Sequence, residues 1–299
     1  MKKVGGGAAP KGIWRPGAVR ARVKAPPARL PLGSRTLLMG VVNVTPDSFS
    51  DGGDLQGAGA AAGYVRSLAG QGADLVDIGG ESTRPGSAPV PVEEELRRVV
   101  PVAEALAGAP PCPLSVDTSK APVARACLER GFAVVNDVTA GRNDREILGV
   151  AAEFGAYVVL MHMQGDPATM QRAPAYTDVV EEVAAFLRGR AEAALEAGVA
   201  RDRILVDPGI GFGKTLDHNL ALLRAVPRLR ALGYPVVLGA SRKSMFKALL
   251  GLEEPKARDD ATAALSCLLA YLGASVLRVH EVPNNLRAAR FGDALRGHP

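Results

Sequence analysis

Eight short apolar runs, each passing straight into polar or charged residues, set the rhythm of the chain. They are LLMGVVN (37–43), LVDIGGE (75–81), LSVDT (114–118), AVVND (133–137), YVVLMH (157–162), ILVDPG (204–209), VVLGAS (236–241) and VLRVH (276–280). Runs this short, apolar on both faces and bounded by turn residues, predict parallel strands buried on both sides. Between most of them Ala, Leu and Val recur at helical spacing, which predicts helices over 58–71, 93–107, 120–130, 144–154, 178–197, 217–231, 257–272 and 283–296. Eight strand–helix units are the number that closes an α/β barrel of the (β/α)8 type, whose C-terminal strand ends open on one mouth. The polar strand endings Asn43, Asp77, Glu81, Asp117, Asn136, His162, Asp207, Ser241, Lys243, Arg278 and His280 then converge on one site.

Three connections depart from the usual short loop. NVTPDSFSDGGDLQGAG (43–59) follows strand 1, GGESTRPGSAPVPVEE (79–94) follows strand 2, and MQGDPATMQRAPAY (163–176) follows strand 5. Long connections at a barrel mouth are binding loops or lids, and those after strands 1 and 2 are expected to be mobile. No linker divides the body, so one domain is expected over 36–299, preceded by a flexible extension over 1–35.

Charge changes the picture only once it is located. The net charge of +5 rests on nine Lys or Arg in residues 1–35, a Gly/Pro-rich stretch with no acid; the remaining residues hold 27 basic and 31 acidic groups. A basic arm raises nucleic-acid binding as an option, but with Trp14 as its one aromatic and no helical pattern it is expected to be a loose extension that binds none. Residues 1–33 are therefore expected to be dispensable. Cys112, Cys127 and Cys267 are far apart and form no CxxC, which fits a reducing cytoplasm better than a disulfide framework. No signal-peptide h-region follows MKK, and the apolar stretch 261–279 is divided by Gly273-Ala274-Ser275 into helix and strand, so no membrane association is expected.

The chemistry sits at the strand ends. DPGIGFGKT (207–215) fails as a phosphate loop because Pro208 stands where GxxxxGK[ST] needs glycine; Gly209, Gly211 and Gly213 are read as letting backbone approach a flat ligand. Asp117 and Asp207 read as helix N-caps or, with Asn136, as acceptors deep in an apolar well. The second role suits a heterocycle presenting NH donors, such as a 2-amino-4-oxo pyrimidine ring. Buried carboxylates need such a ligand or a cation, and Lys243 is the candidate cation. Phe212 offers the ring an apolar surface. Arg278 and His280 alternate on strand 8 and share a face, two donors suited to a diphosphate. His162 reads as a hydrogen-bonded strand-end histidine rather than a zinc ligand, and Glu93, Glu94 and Glu95 read as complements to a helix dipole.

These residues fall within eight ordered motifs: MGVVNVTPDSFSDGG, ADLVDIGGESTRPG, SVDTSK, NDV, LMHMQG, DPGIGFGKT, LGASRKS and RVHEV. Together, over about residues 36–296, they resemble the dihydropteroate synthase family. The resemblance implies a single TIM barrel, a transferase that joins 6-hydroxymethyl-7,8-dihydropterin diphosphate to 4-aminobenzoate in folate synthesis, Mg2+ as cofactor, sulfonamides as inhibitors and a homodimer. By motif it implies a pterin pocket of Asp117, Asn136, Met161, Asp207, Phe212, Lys243 and Arg278. Diphosphate would meet Asn43, Arg278 and His280, with Asn43 also on the metal. Aminobenzoate would lie among Phe49, Thr83, Arg84, Pro85 and Ser241.

The residues agree with that chemistry. No Ser/His or Cys/His pair is placed to activate a weak arylamine nucleophile, which favours assistance to the leaving group. Asp117, Lys243, Arg278, His280 and Asp51 are the expected catalytic set, with Asp117 stabilising a developing pterin cation. Aminobenzoate and sulfonamides are expected to bind weakly until diphosphate, Mg2+ and pterin are present. The rivals are a pterin-binding methyltransferase barrel, which has no use for the diphosphate cations, and a non-catalytic paralogue, which would have lost one of Asn43, Arg84, Lys243, Arg278 or His280; all five stand here. Glu281 occupies the position in RVHEV where the family more often has Asp.

Overall fold

The computed structural model describes residues 28–44, 53–83 and 86–297. Eight parallel strands form the sheet: β1 (Leu37–Asn43), β2 (Leu75–Gly79), β3 (Leu114–Asp117), β4 (Val134–Asp137), β5 (Tyr157–Met161), β6 (Ile204–Asp207), β7 (Val237–Leu238) and β8 (Val276–Val279). Their order is β6-β5-β4-β3-β2-β1-β8-β7, and a single bridge from Val206 to Val236 links the two end strands. The sheet is thus a nearly closed barrel, as the strand–helix rhythm predicts.

The helices wrap it in sequence: α1 (Gly53–Gly70), α2 (Val92–Leu106), α3 (Ala121–Leu128), α4 (Glu146–Glu153), α5 (Val179–Glu196), α6 (Leu216–Arg224), α7 (Val226–Arg230), α8 (Met245–Leu250), α9 (Asp259–Leu272) and α10 (Val282–Arg296). Two details differ from the sequence expectation. The helix expected over 217–231 is broken at Ala225, because Pro227 lacks the N–H that would bond back to Leu223 and sits instead in the first turn of a new helix. The short α8 was not expected; it ends at Gly251, whose φ of +69° suits a left-handed C-cap. The apolar stretch 261–279 divides as expected, with Gly273 at φ +95° between α9 and β8. Among the described residues no helix is long and apolar enough to cross a membrane.

Alternate strand residues serve two cores. Val76, Ile78, Val116, Val135, Leu160, Val206 and Leu277 pack outward against the helices. Their neighbours Leu37, Met39, Leu75, Val134, Tyr157, Val159, Leu205, Val237 and Val276 fill the barrel interior. This interior is closed from below by the chain before β1. Leu30 is buried in the interior cluster with Leu32 packed on it, and the Leu30 N–H donates to Tyr157 Oη at 3.1 Å. Arg203 lies over that ring, 4.3 Å from its centre. Leu30 and Leu32 thus belong to the barrel rather than to a dispensable extension; residues 1–27 of that extension lie outside the described residues.

Candidate active site

The interior changes character one strand step toward the mouth. In β2, β4, β6 and β8 the interior residues Leu75, Val134, Leu205 and Val276 are followed two positions on by Asp77, Asn136, Asp207 and Arg278. With Asp117 of β3 these side chains ring a well at the C-terminal strand ends, where barrel enzymes assemble their sites.

One hydrogen-bonded chain spans half of the well. Asp77 is fully buried, and its Oδ2 accepts from Asn136 Nδ2 at 2.9 Å and from Arg278 Nε at 2.7 Å. The Arg278 NH2 group donates on to Asp117 Oδ2 at 2.9 Å. Burial and the neighbouring Asp77 carboxylate raise the Asp117 pKa above the usual range, while Arg278 opposes the rise. Arg278 is itself held more firmly protonated by the two carboxylates, although burial works against it. Asp77 stands among the polar strand ends of the sequence without a role of its own; the structure puts it at the centre of the network.

Asp207 ends β6, two strands from Asn136 and three from Asp117 in the sheet order. Its Oδ1 accepts from the Gly209 N–H at 2.7 Å, which is a turn contact rather than a helix cap. Burial pushes its pKa up to about 6, against the pull of Gly209, Lys243, Lys214 and Arg278. Neither aspartate caps a helix: α3 begins after Lys120, and Thr215 caps α6 in a reciprocal pair with His218. Lys243 reaches over Phe212, its Nζ 4.1 Å from the ring centre. Met161 and Phe212 join Val138, Met163 and Met170 in an apolar wall, so the loop after β5 contributes to the mouth. Its Gln171 Nε2 donates to the Gly211 carbonyl at 2.6 Å. His280 Nδ1 lies 3.0 Å from Ser241 Oγ, a Ser/His pair at the mouth contrary to the sequence expectation, and the contact ties the expected diphosphate and aminobenzoate residues together. Asn43 ends β1 partly exposed, paired in register with Gly79, and Thr83 is also partly exposed. Phe49, Asp51, Arg84 and Pro85 lie outside the described residues.

Two sequence readings need correction. Gly209 and Gly213 admit the protein's own backbone rather than a ligand: a Cβ on Gly209 would fall 1.9 Å from the His162 carbonyl oxygen, and one on Gly213 would fall 2.5 Å from that of Gln164. Their φ values of +70° and +64° exclude other residues independently. Glu95 is no exposed dipole complement. It is fully buried and paired with Lys120 at 2.5 Å, and Lys120 also pairs with Glu81. Glu81 Oε1 in turn accepts from the Val90 N–H at 3.0 Å, so this triad fastens both ends of the loop after β2.

Lys214 was passed over with the rejected phosphate loop. It is buried, donating to the Phe212 carbonyl at 2.9 Å and lying 3.0 Å from His162 Nδ1. Burial lowers its pKa to about 7, with Asp207 opposing and Lys243 reinforcing. His162 is held neutral, its pKa lowered to about 3 by burial and the charges of Lys214 and Arg142. It packs edge-on to Phe186 of α5, outside the well, as a hydrogen-bonded strand-end histidine. No group of three or more His, Cys, Asp or Glu side chains forms a metal cluster among the described residues.

Residues 39–280 match the family of pterin binding enzymes. The dihydropteroate synthase of Synechocystis is 41% identical over 263 residues, covering 88% of this chain and 91% of the relative. The structure of Xanthomonas albilineans dihydropteroate synthase with 4-aminobenzoic acid superposes with a TM-score of 0.82. It is 49% identical and covers 89% of this chain and 94% of that one. The Yersinia pestis enzyme in complex with a sulfonamide drug gives a TM-score of 0.82 at 43% identity, over 88% and 95% of the two chains. The ordered motifs, the barrel and its acidic well all agree with these matches: the chain belongs to the dihydropteroate synthase family.

Proposed function

We propose that the chain condenses 6-hydroxymethyl-7,8-dihydropterin diphosphate with 4-aminobenzoate, giving 7,8-dihydropteroate and diphosphate. The observation that carries this reading is the well itself. Asp117, Asn136 and Asp207 offer acceptors to a donor-rich ring, while Met161 and Phe212 supply an apolar wall. Two buried carboxylates whose pKa values are raised by burial gain most from a ligand that donates N–H groups to them. Lys243, over Phe212, is within reach of the same ring, and Arg278 forms its other flank. The relatives solved with 4-aminobenzoic acid and with a sulfonamide drug support the second substrate and the inhibitor class.

In the reaction the bond from the pterin methylene carbon to the diphosphate oxygen breaks, and the aminobenzoate nitrogen bonds to that carbon and loses a proton. Arg278 and His280 hold the departing anion, and Asp117 stabilises positive charge spreading into the ring as the bond lengthens. Aminobenzoate is assigned to Ser241 and Thr83 with Phe49, Arg84 and Pro85, and Asp51 is assigned to the diphosphate side. Asn43 fits Mg2+: one amide oxygen at the mouth suits a hard ion that takes its remaining ligands from phosphate and water. When bound, the ion would neutralise charge on the leaving diphosphate. A coupled assay for diphosphate release tests the whole reading; release must require both substrates, and release without aminobenzoate would overturn it.

The active unit is proposed to be a cytoplasmic homodimer. The unpaired thiols of Cys112, Cys127 and Cys267 support a reducing compartment. Leu268 and Tyr271 of α9, with Phe291 and Leu295 of α10, are each exposed by about half or more, on two helices packed so closely that Gly292 admits no side chain against Cys267. Exposed apolar side chains gathered on two neighbouring helices suit a protein interface. Phe291→Glu should yield a monomer in sedimentation analysis, and an unchanged dimer would place the interface elsewhere.

A further inference from the structure

We propose that Asp77 is a positioning residue that selects the substrate's 2-amino group by fixing which way round the Asn136 amide presents itself to the well. The inference rests on the reading that a pterin ring fills that well. An asparagine amide is chemically two-faced: its oxygen accepts and its nitrogen donates, and a half-turn exchanges them with little change in shape. What a ligand meets is therefore decided by whatever holds the other end.

Here that end is held by a carboxylate. Asn136 Nδ2 donates to Asp77 Oδ2 at 2.9 Å. The flipped amide would set its carbonyl oxygen against a carboxylate oxygen, two acceptors with no proton between them. The same Oδ2 also accepts from the Arg278 guanidinium at 2.7 Å, so the carboxylate is held in place from the side opposite the amide. Arg278 thus fixes the carboxylate and the carboxylate fixes the amide. Asp77 is fully buried, so no solvent exchange relaxes the arrangement.

With one N–H committed to Asp77, Asn136 has its Oδ1 acceptor and a second N–H left for a ligand. An acceptor beside a donor complements an amidine edge, in which an amino group sits next to an unprotonated ring nitrogen. The 2-amino and N1 positions of a pterin form that edge. A lumazine, with oxygen at position 2 and hydrogen on N1, carries the reverse pattern and would meet an acceptor with an acceptor. Asp117 and Asp207 accept without orientation, since a carboxylate offers the same face either way round. The orientable amide is the part of the acceptor set that has to be told which way to stand, and Asp77 is the residue that tells it.

The test compares binding of 6-hydroxymethylpterin and 6-hydroxymethyllumazine by calorimetry, with melting followed in parallel. The native protein should prefer the pterin by about 100-fold or more, as a site built around a particular hydrogen-bond pattern rejects its inverse. Asp77→Asn keeps the shape but can accept or donate toward Asn136, so the amide is free to turn. The preference should fall by about tenfold or more, beyond any loss of affinity common to both ligands. A merely structural role for Asp77 would weaken both ligands alike and leave their ratio intact, which would overturn the proposal. Should Asp77→Asn not fold, Asn136→Leu asks the same question from the other side. Loss of the preference is expected, and an unchanged ratio would leave Asp77 nothing to orient. If the native protein binds neither ligand, the pterin reading of the well fails instead, and the two failures remain distinct.

Discussion

The lower and upper halves of the barrel interior are built by the same strands and follow opposite rules. In the lower half Leu37, Leu75, Val134, Tyr157, Leu205, Val237 and Val276 pack against one another and against Leu30. In the upper half, two residues or about 7 Å further along, Asp77, Asn136, Asp207 and Arg278 occupy the equivalent inward positions. The lower half is satisfied by contact alone. The upper half holds three buried aspartates, Asp77, Asp117 and Asp207, with Arg278 as the cation bonded to two of them. Buried carboxylates in excess of their direct partners raise the cost of the unliganded state, and a donor-bearing ligand relieves it. Stability is therefore invested below and binding capacity above, and a substitution in one half should spare the property of the other.

The largest separation is expected from Asp207→Asn. The change replaces one acceptor by a donor where the ring is proposed to donate. By analogy with truncating a buried charge partner, the loss should be about 2–5 kcal/mol of pterin affinity, or orders of magnitude in Kd. The fold should not suffer. Asp207 is strained toward its neutral form in the free protein, with a pKa near 6, and an amide retains an oxygen for the Gly209 N–H. Calorimetry with a pterin should show the loss while the melting temperature at pH 8 is unchanged or raised. Undiminished affinity would remove Asp207 from the pocket.

Removal of residues before Ser34 is the converse experiment, with a smaller effect. It takes away the buried Leu30, its hydrogen bond to Tyr157 and the covering Leu32. Burying one leucine contributes about 1.5–3 kcal/mol, which corresponds to a melting temperature lower by about 5 °C for a barrel of this size. Pterin affinity should hold, because the well lies at the other end of the strands. A chain starting at Ser34 that melts unchanged would show that the plug contributes nothing.

That plug marks a boundary of what the sequence discloses. Strand cores are legible because both faces are apolar, and β1 is read to the residue. The acids and amide of the well are legible for the same reason, since Asp117, Asn136 and Asp207 end runs that are otherwise mainly apolar. Leu30 is hidden because a single leucine among Arg, Pro and Gly has no period. Lys214 and Glu95 are hidden because a charged residue beside a glycine loop or at a helix start is normally solvated. Only the fold brings Lys120 to Glu95, or folds the loop after β5 over Lys214. Asp77 was visible as a strand-end acid, but its role depends on which side chains its oxygen meets, and those come from β4 and β8.

The smallest expected effect is in pH, and its sign follows from Asp207. In the free protein the Asp207 pKa is raised from 3.8 to about 6, chiefly by burial. The folded state therefore keeps a proton between these values that the unfolded chain has already lost. The stability this gives is complete below pH 3.8 and is lost as pH rises through 6. Binding runs the other way. A ring that donates N–H groups to Asp207 needs the anion, so below pH 6 the pterin must expel that proton to bind. Lys214, Lys243 and Arg278 all favour the anion and so restrain the upward shift. Of these Lys214, with a pKa near 7, gains charge as the medium turns acidic and so softens the slope. Asp117, its pKa raised to about 7 by burial and by Asp77, has the same requirement, so affinity should level off only above about pH 8 and fall by up to about a hundredfold per unit well below 6. Calorimetry in two buffers of different ionisation heat should find proton release on pterin binding at pH 5.5 and much less at pH 7.5. The Asp207→Asn protein should release fewer protons at pH 5.5, the remainder coming from Asp117. Equal proton counts at the two pH values in the native protein would mean that the carboxylate does not charge on binding, and that the upper half of the barrel is relieved by something other than the ring's donors.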